Sequence, residues 1–155
     1  MGKPSRCSDR QGRTPRRGSL SSQEVVDNFT LLPESERLNM LLEYSEALPE
    51  PPKEHAGFDF ERVEECQSPV YLAVEIDNGN VMLYFDAPRE APTTRGFASV
   101  LHSALNGSTP DEVLGFDEGF PDRLGITHLI SPLRMRGIRG MIARIKRLTR
   151  ELSEG

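Results

Sequence analysis

The sequence predicts an α+β fold, with a small antiparallel sheet of about three strands packed against helices. Three observations predict it. Helical apolar stripes lie towards both ends of the chain, at Leu38–Leu48 and Ile138–Leu152. Between them, two runs rich in β-branched and aromatic residues, Pro69–Ile76 and Asn80–Ala87, stand side by side around Asn78-Gly79, the strongest short hairpin signal. Strands and helices do not alternate, which argues against a parallel βαβ sheet.

The elements follow in order. Residues 1–20 are rich in Arg, Ser, Gly and Pro and poor in apolar side chains, so they are expected to be a disordered basic tail, with the folded domain running over 21–155. Ser21 and Glu24 have capping-box spacing and should start a short helix. A second helix follows, with Leu38, Leu41, Leu42, Ser45 and Leu48 on one stripe, widened by Met40, Tyr44 and Ala47. Pro49, Pro51 and Pro52 stop it, and a loop runs to about Asp59. Phe60–Val63 reads as a short strand ahead of the hairpin.

Beyond the hairpin, Thr93 or Thr94 should cap a helix whose apolar face is Phe97, Val100, Leu101, Ala104 and Leu105, ended by Asn106-Gly107. Thr109, Pro110 and Glu112 form a second capping box, and Phe120–Ile126 contains a helical turn. Ser131 and Pro132 open the last helix, with Ile138, Met141, Ile142, Ile145, Leu148 and Leu152 on its buried stripe.

Composition narrows the function. The first 22 residues carry a net charge of +5 and the remainder −10, and an acidic body does not suit broad nucleic-acid binding. No apolar run reaches the roughly 20 residues of a membrane helix, and the N-terminus lacks a secretory apolar core. Only two cysteines, Cys7 and Cys66, are present, so a disulfide framework is not expected and a cytoplasmic, reducing setting is. His55, His102 and His128 lie in separate segments without ligand spacing, so no metal is expected. Nucleotide-binding glycine motifs are absent. The glycines of "RMRGIRG" sit inside a helical pattern, where they would admit close packing of another element.

Two features remain. Arg134 and Arg136 occupy the first turn of the last helix, where the helix dipole disfavours cations. Cys66 lies in the polar loop "EECQS" just before a strand. A free cysteine is often a small buried hydrophobe, but loops also present reactive groups, and both readings stand on these residues alone. Facing acids, Glu64 and Glu65, would raise the thiol pKa and a nearby arginine would lower it.

The stretches "ECQSPVYL", "RGF" and "LISPLRMRGIRGMIARIK", with the helix and prolines of Met40–Pro52, resemble the SufE family over about residues 24–152. The resemblance implies a SufE/IscU-like fold and a sulfur acceptor that carries a persulfide on Cys66. It implies, as partners, a pyridoxal-phosphate cysteine desulfurase of the SufS or CsdA kind, which the acceptor stimulates, and a downstream iron–sulfur scaffold. The cofactor belongs to the desulfurase, so none is expected here, and the chain would act as a sulfurtransferase-like carrier and activator rather than a stand-alone enzyme. Gln67 and Ser68 would support the loop by hydrogen bonds. Arg134 would lie near the Cys66 loop or at the docking surface, with Arg95 and Arg136 as further partner contacts. Cys66 is expected to rest sheltered and to swing out on docking. The alternative is a single-cysteine thiol-redox enzyme, a peroxidase or reductase, which needs a low thiol pKa.

Overall fold

The computed structural model describes residues 21–52 and 60–154. The expected basic tail with Cys7, the loop towards Asp59 and His55 lie outside the described residues. Among the described residues the chain forms α1 (Ser22–Thr30), α2 (Glu34–Ala47), β1 (Glu61–Arg62), β2 (Tyr71–Asp77), β3 (Asn80–Asp86), α3 (Pro92–Leu105), α4 (Pro110–Leu114), α5 (Phe120–Arg123) and α6 (Pro132–Glu154). The three strands form an antiparallel sheet in the order β1-β2-β3, giving the α+β architecture that the sequence predicts.

Local chemistry accounts for the boundaries. Ser21 Oγ accepts from the Glu24 amide while the Glu24 carboxylate accepts from the Ser21 amide, and Thr109 and Glu112 do the same for α4. The β2–β3 hairpin pairs Asp77 with Asn80 and Tyr71 with Asp86. Asn78 and Gly79 between them have φ of 53° and 82°, the left-handed pair that a two-residue turn needs to match strand twist. Along β3, Val81, Leu83 and Phe85 point into the core at the strand period of two.

α6 lies against β2 and α3 against β3. Phe97, Val100 and Leu101 of α3 and Ile138, Met141 and Ile145 of α6 have no exposed surface. α2 packs closely on α3 because residue 96 is glycine: a Cβ there would stand 2.6 Å from the Leu41 carbonyl oxygen and 2.9 Å from the Leu41 side chain.

Three expectations are corrected. α3 begins at Pro92 with Ala91 as its N-cap residue, so neither Thr93 nor Thr94 caps it. Proline fixes its own φ and has no amide to satisfy, which suits the first helical turn without a side-chain cap. On α2 only Leu41 and Ser45 are buried, with Leu48 buried just beyond it, while Leu38 keeps 37% of its surface exposed. Met40 and Tyr44 are half-buried and pack against the core, Tyr44 stacked on Phe29 of α1, so the stripe holds at its centre and fails at Leu38 and Ala47, which are exposed. Leu152, 47% exposed, runs past the end of the core.

Candidate functional site

Cys66 sits on a short loop whose ends are fixed and whose middle is polar. Val63 and Val70 are both fully buried, and the Val63 amide donates to the Val70 carbonyl at 2.9 Å, closing the loop at its base. Between them Glu64, Glu65, Gln67, Ser68 and Pro69 have little reason to enter the core. Cys66 does enter it. Its amide donates to the Val63 carbonyl at 3.1 Å, a tight turn that aims the side chain inward and leaves 6% of the residue exposed.

The inward thiol meets α6 where that helix has no side chain. A Cβ on Gly137 would stand 2.9 Å from Cys66 Sγ, and one on Gly140 would stand 2.6 Å from Glu65 Oε1. The glycines of "RMRGIRG" thus admit the neighbouring loop, as their place in a helical pattern suggests.

A cleft of about 160 Å³ opens beside the sulfur, lined by Cys66, Gln67, Ser68, Thr93, Leu133 and Arg134 among others. Arg134 lies in the first turn of α6, its amide held by the Ser131 hydroxyl at 3.3 Å. Its exposed guanidinium reaches Thr93 Oγ1 at 3.5 Å, a weak contact that leaves the group available to a ligand or partner. The structure therefore brings Cys66, Gln67, Ser68 and Arg134 to one cleft. Arg136 is exposed on the same turn of α6, and its charge helps hold the Glu65 carboxyl down.

Two other expectations change. Among the described residues no side-chain hydrogen bond from Gln67 or Ser68 supports the loop; backbone bonds do, including Val70 amide to Ser68 carbonyl at 2.9 Å. Arg95 is not at the surface. It is 4% exposed and donates to the Ser45 carbonyl at 2.8 Å, the Ala87 carbonyl at 2.6 Å and Glu50 Oε2 at 2.9 Å, tying the end of α2 to the β3–α3 connection. A buried guanidinium with all three nitrogens bonded within the protein is not presented to a partner.

The loop is held by charge as well as shape. Arg144 of α6 donates to Glu61 of β1 at 2.5 Å and to Glu65 at 2.9 Å, and Arg147 also binds Glu61. Hydrogen bonds from Arg147 and Arg144 lower the Glu61 pKa, and the bond from Arg144 lowers that of Glu65. Burial works against the Arg144 charge, but its bonds to Glu65 and Glu61 outweigh it and its pKa is raised. The sequence shows Arg144 only as one of several cations on the last helix. Its spacing from Gly137 and Gly140, one face of α6, was the signal that could have singled it out.

Burial, then the Glu65 charge, push the Cys66 thiol up to about 11, while Arg144 and Arg62 pull it down. The resting sulfur is therefore protonated and protected, the opposite of what a peroxidatic cysteine needs. Among the described residues no cluster of His, Cys, Asp and Glu could hold a metal ion, and His128 is exposed and does not line the cleft. No helix among them is long and apolar enough to cross a membrane.

The fold is a small α+β one, and its cleft places one sheltered thiol and an arginine in a common lining. The chain belongs to the SufE family: the family model described as an Fe-S metabolism associated domain matches residues 23–149. A SufE-like protein of Mycobacterium tuberculosis is 46% identical over 129 residues, covering 83% of this chain and 90% of that one. A SufE-like protein of Synechocystis is 31% identical over 101 residues, covering 65% of this chain and 62% of that one. The solution structure of a hypothetical protein from Thermus thermophilus superposes with a TM-score of 0.78 at 35% identity, covering 86% of this chain and 96% of that one. Family membership gives the chain a sulfur-transfer role in Fe–S metabolism, with interaction with a cysteine desulfurase.

Proposed function

We propose that Cys66 accepts a sulfane sulfur from the persulfide of a pyridoxal-phosphate cysteine desulfurase, stimulates that enzyme by relieving it of sulfur, and delivers the sulfur to iron–sulfur cluster assembly in the cytoplasm. The observation that carries the reading is the seat of Cys66: a buried thiol on a loop hinged at Val63 and Val70, opening onto a cleft with Arg134. A persulfide in solution is lost to small thiols, so a carrier gains from a sheltered resting place. To react, the sulfur must leave it. Docking would draw the loop outwards, remove the burial that keeps the thiol protonated and raise the thiolate population.

The transfer is a displacement at sulfur. The Cys66 thiolate attacks the outer sulfur of the partner's persulfide, the new S–S bond forms as the old one breaks, and the partner's cysteine leaves as thiolate. No net oxidation or reduction occurs. Having no second cysteine beside it in the folded body protects the product, since a resolving thiol would expel the carried sulfur and close a disulfide. Arg134, with Arg136 nearby, supplies positive charge at the cleft mouth for the thiolate, the persulfide or a carboxylate of the partner. Exposed Leu133, 42% accessible, adds apolar contact area beside them.

The test is the desulfurase turnover rate, read as alanine formed, with a cognate enzyme and excess cysteine. Wild-type protein should accelerate it, Cys66→Ser should not, and Arg134→Ala should accelerate it only at higher concentration. Full stimulation by Cys66→Ser would overturn the reading.

A further inference from the structure

The Glu61–Arg144–Glu65 bridge does more than brace a strand. Glu65 is the residue immediately before Cys66, and Arg144 holds it across 79 positions of sequence. Arg144 is 15% exposed, and its Nε is buried without a partner, so its contact with the protein is concentrated in the two carboxylates it grips. Glu61 has Arg147 as a second cation, whereas Arg144 is the arginine bonded to Glu65. The loop is therefore pinned to α6 at two neighbouring points: sterically, Cys66 Sγ in the gap at Gly137, and ionically, Glu65 on Arg144 over the gap at Gly140.

We propose that Arg144 is a positioning residue, the fixed half of an ionic latch whose moving half is Glu65, and that release of Glu65 sets how readily Cys66 leaves its seat. The proposal rests on the carrier reading and deepens it by naming what governs exposure of the thiol. Cys66 cannot swing outwards about Val63 and Val70 while its neighbour is tied to α6. The Glu61–Arg147 pair stays closed during the movement, so the sheet edge keeps its hold on α6 and only the loop opens. A partner opens the latch by offering Arg144 a carboxylate of its own or by offering Glu65 a cation.

The geometry separates the latch from simple electrostatics. Arg144 lowers the Cys66 pKa through its charge, so losing that charge alone makes the thiol less reactive. Losing a latch makes it more reactive. The experiment is iodoacetamide alkylation of the full chain in a Cys7→Ser background, at fixed neutral pH and over a range of salt, without any desulfurase. Arg144→Gln is expected to alkylate about three- to tenfold faster than its parent, the scale of one partly exposed charged contact. The parent should speed up with salt and Arg144→Gln should not. A second variant covers the case in which Arg144→Gln folds poorly. In Gly140→Ala the new methyl group occupies the place of the Glu65 carboxylate, which must move, while alanine improves helix propensity. It should alkylate faster with no loss of melting temperature. Parental or slower rates in the folded variants overturn the latch. Because alkylation is read without a partner, that result would leave sulfur acceptance at Cys66 untouched. Conversely, failure to accept sulfur would sink the carrier reading while the alkylation rates still judged the latch.

Discussion

Gly137→Ala asks whether the resting position of Cys66 is what suppresses its chemistry. The added methyl carbon would stand 2.9 Å from Sγ, where ordinary contact begins near 3.4 Å, so the sulfur must retreat by at least about 0.5 Å. The Cys66 Cα and Cβ are 4.0 Å from the same point and need not move, so the side chain turns away rather than the helix bending. What the sulfur loses is burial, the leading cause of a thiol pKa near 11 against an ordinary 9.0. Complete relief of that shift would raise the thiolate fraction at neutral pH by about 100-fold, which is the ceiling, and partial relief gives about tenfold. The assay is the alkylation rate as a function of pH in a Cys7→Ser background. The parent should still be accelerating towards pH 11, and Gly137→Ala should level off closer to 9. Stability carries the matching sign. Because folding raises this pKa, the folded state favours the neutral thiol; that contribution is constant below the unfolded value and is lost as pH climbs from about 9 towards 11. Gly137→Ala should flatten that loss. An unchanged pH profile in a folded variant would refute the reasoning, since the sulfur would then not be held by the gap at residue 137.

Two further outcomes follow from the framework. Gly96→Ala puts a methyl group 2.6 Å from the backbone oxygen of Leu41, which cannot yield as a side-chain tip can, so α2 and α3 must separate. It should cost about 1–3 kcal/mol, read as a lower urea midpoint. His102 is half-buried on α3, and desolvation pushes its pKa down to about 4. The unfolded chain therefore binds the extra proton first, and stability should fall as pH drops from 6.5 towards 4, by at most about 3 kcal/mol, an effect His102→Asn removes. Glu61 and Glu65, whose pKa values are lowered, add their own loss only at more acidic pH.

What the sequence made legible was local. The Asn78-Gly79 turn, both capping boxes and the glycines of α6 each state their structural need within a few residues. Cys66 and Arg134 were legible through motif resemblance, and the fold brings them to one cleft. What stayed hidden depends on contacts far apart in the chain. Arg95 reads like any arginine near a helix start, and only the end of α2, some 50 positions away, makes it an internal strut. The pairing of Arg144 with Glu65 is equally hidden, because sharing a face of α6 with Gly137 and Gly140 singles out the cation without saying which acid it meets. The edge of α2 misleads for a related reason: periodicity reports where a helix could be covered, and the fold covers Leu41 and Ser45 fully and Met40 and Tyr44 in part but leaves Leu38 and Ala47 exposed.

The most direct measurement is the intact mass of the full chain after incubation with a cognate cysteine desulfurase and cysteine, taken without reductant. The account predicts a gain of one sulfur atom in wild-type protein and in Cys7→Ser, reversed by added thiol, and no gain in Cys66→Ser. A gain that persists in Cys66→Ser and disappears in Cys7→Ser would contradict it.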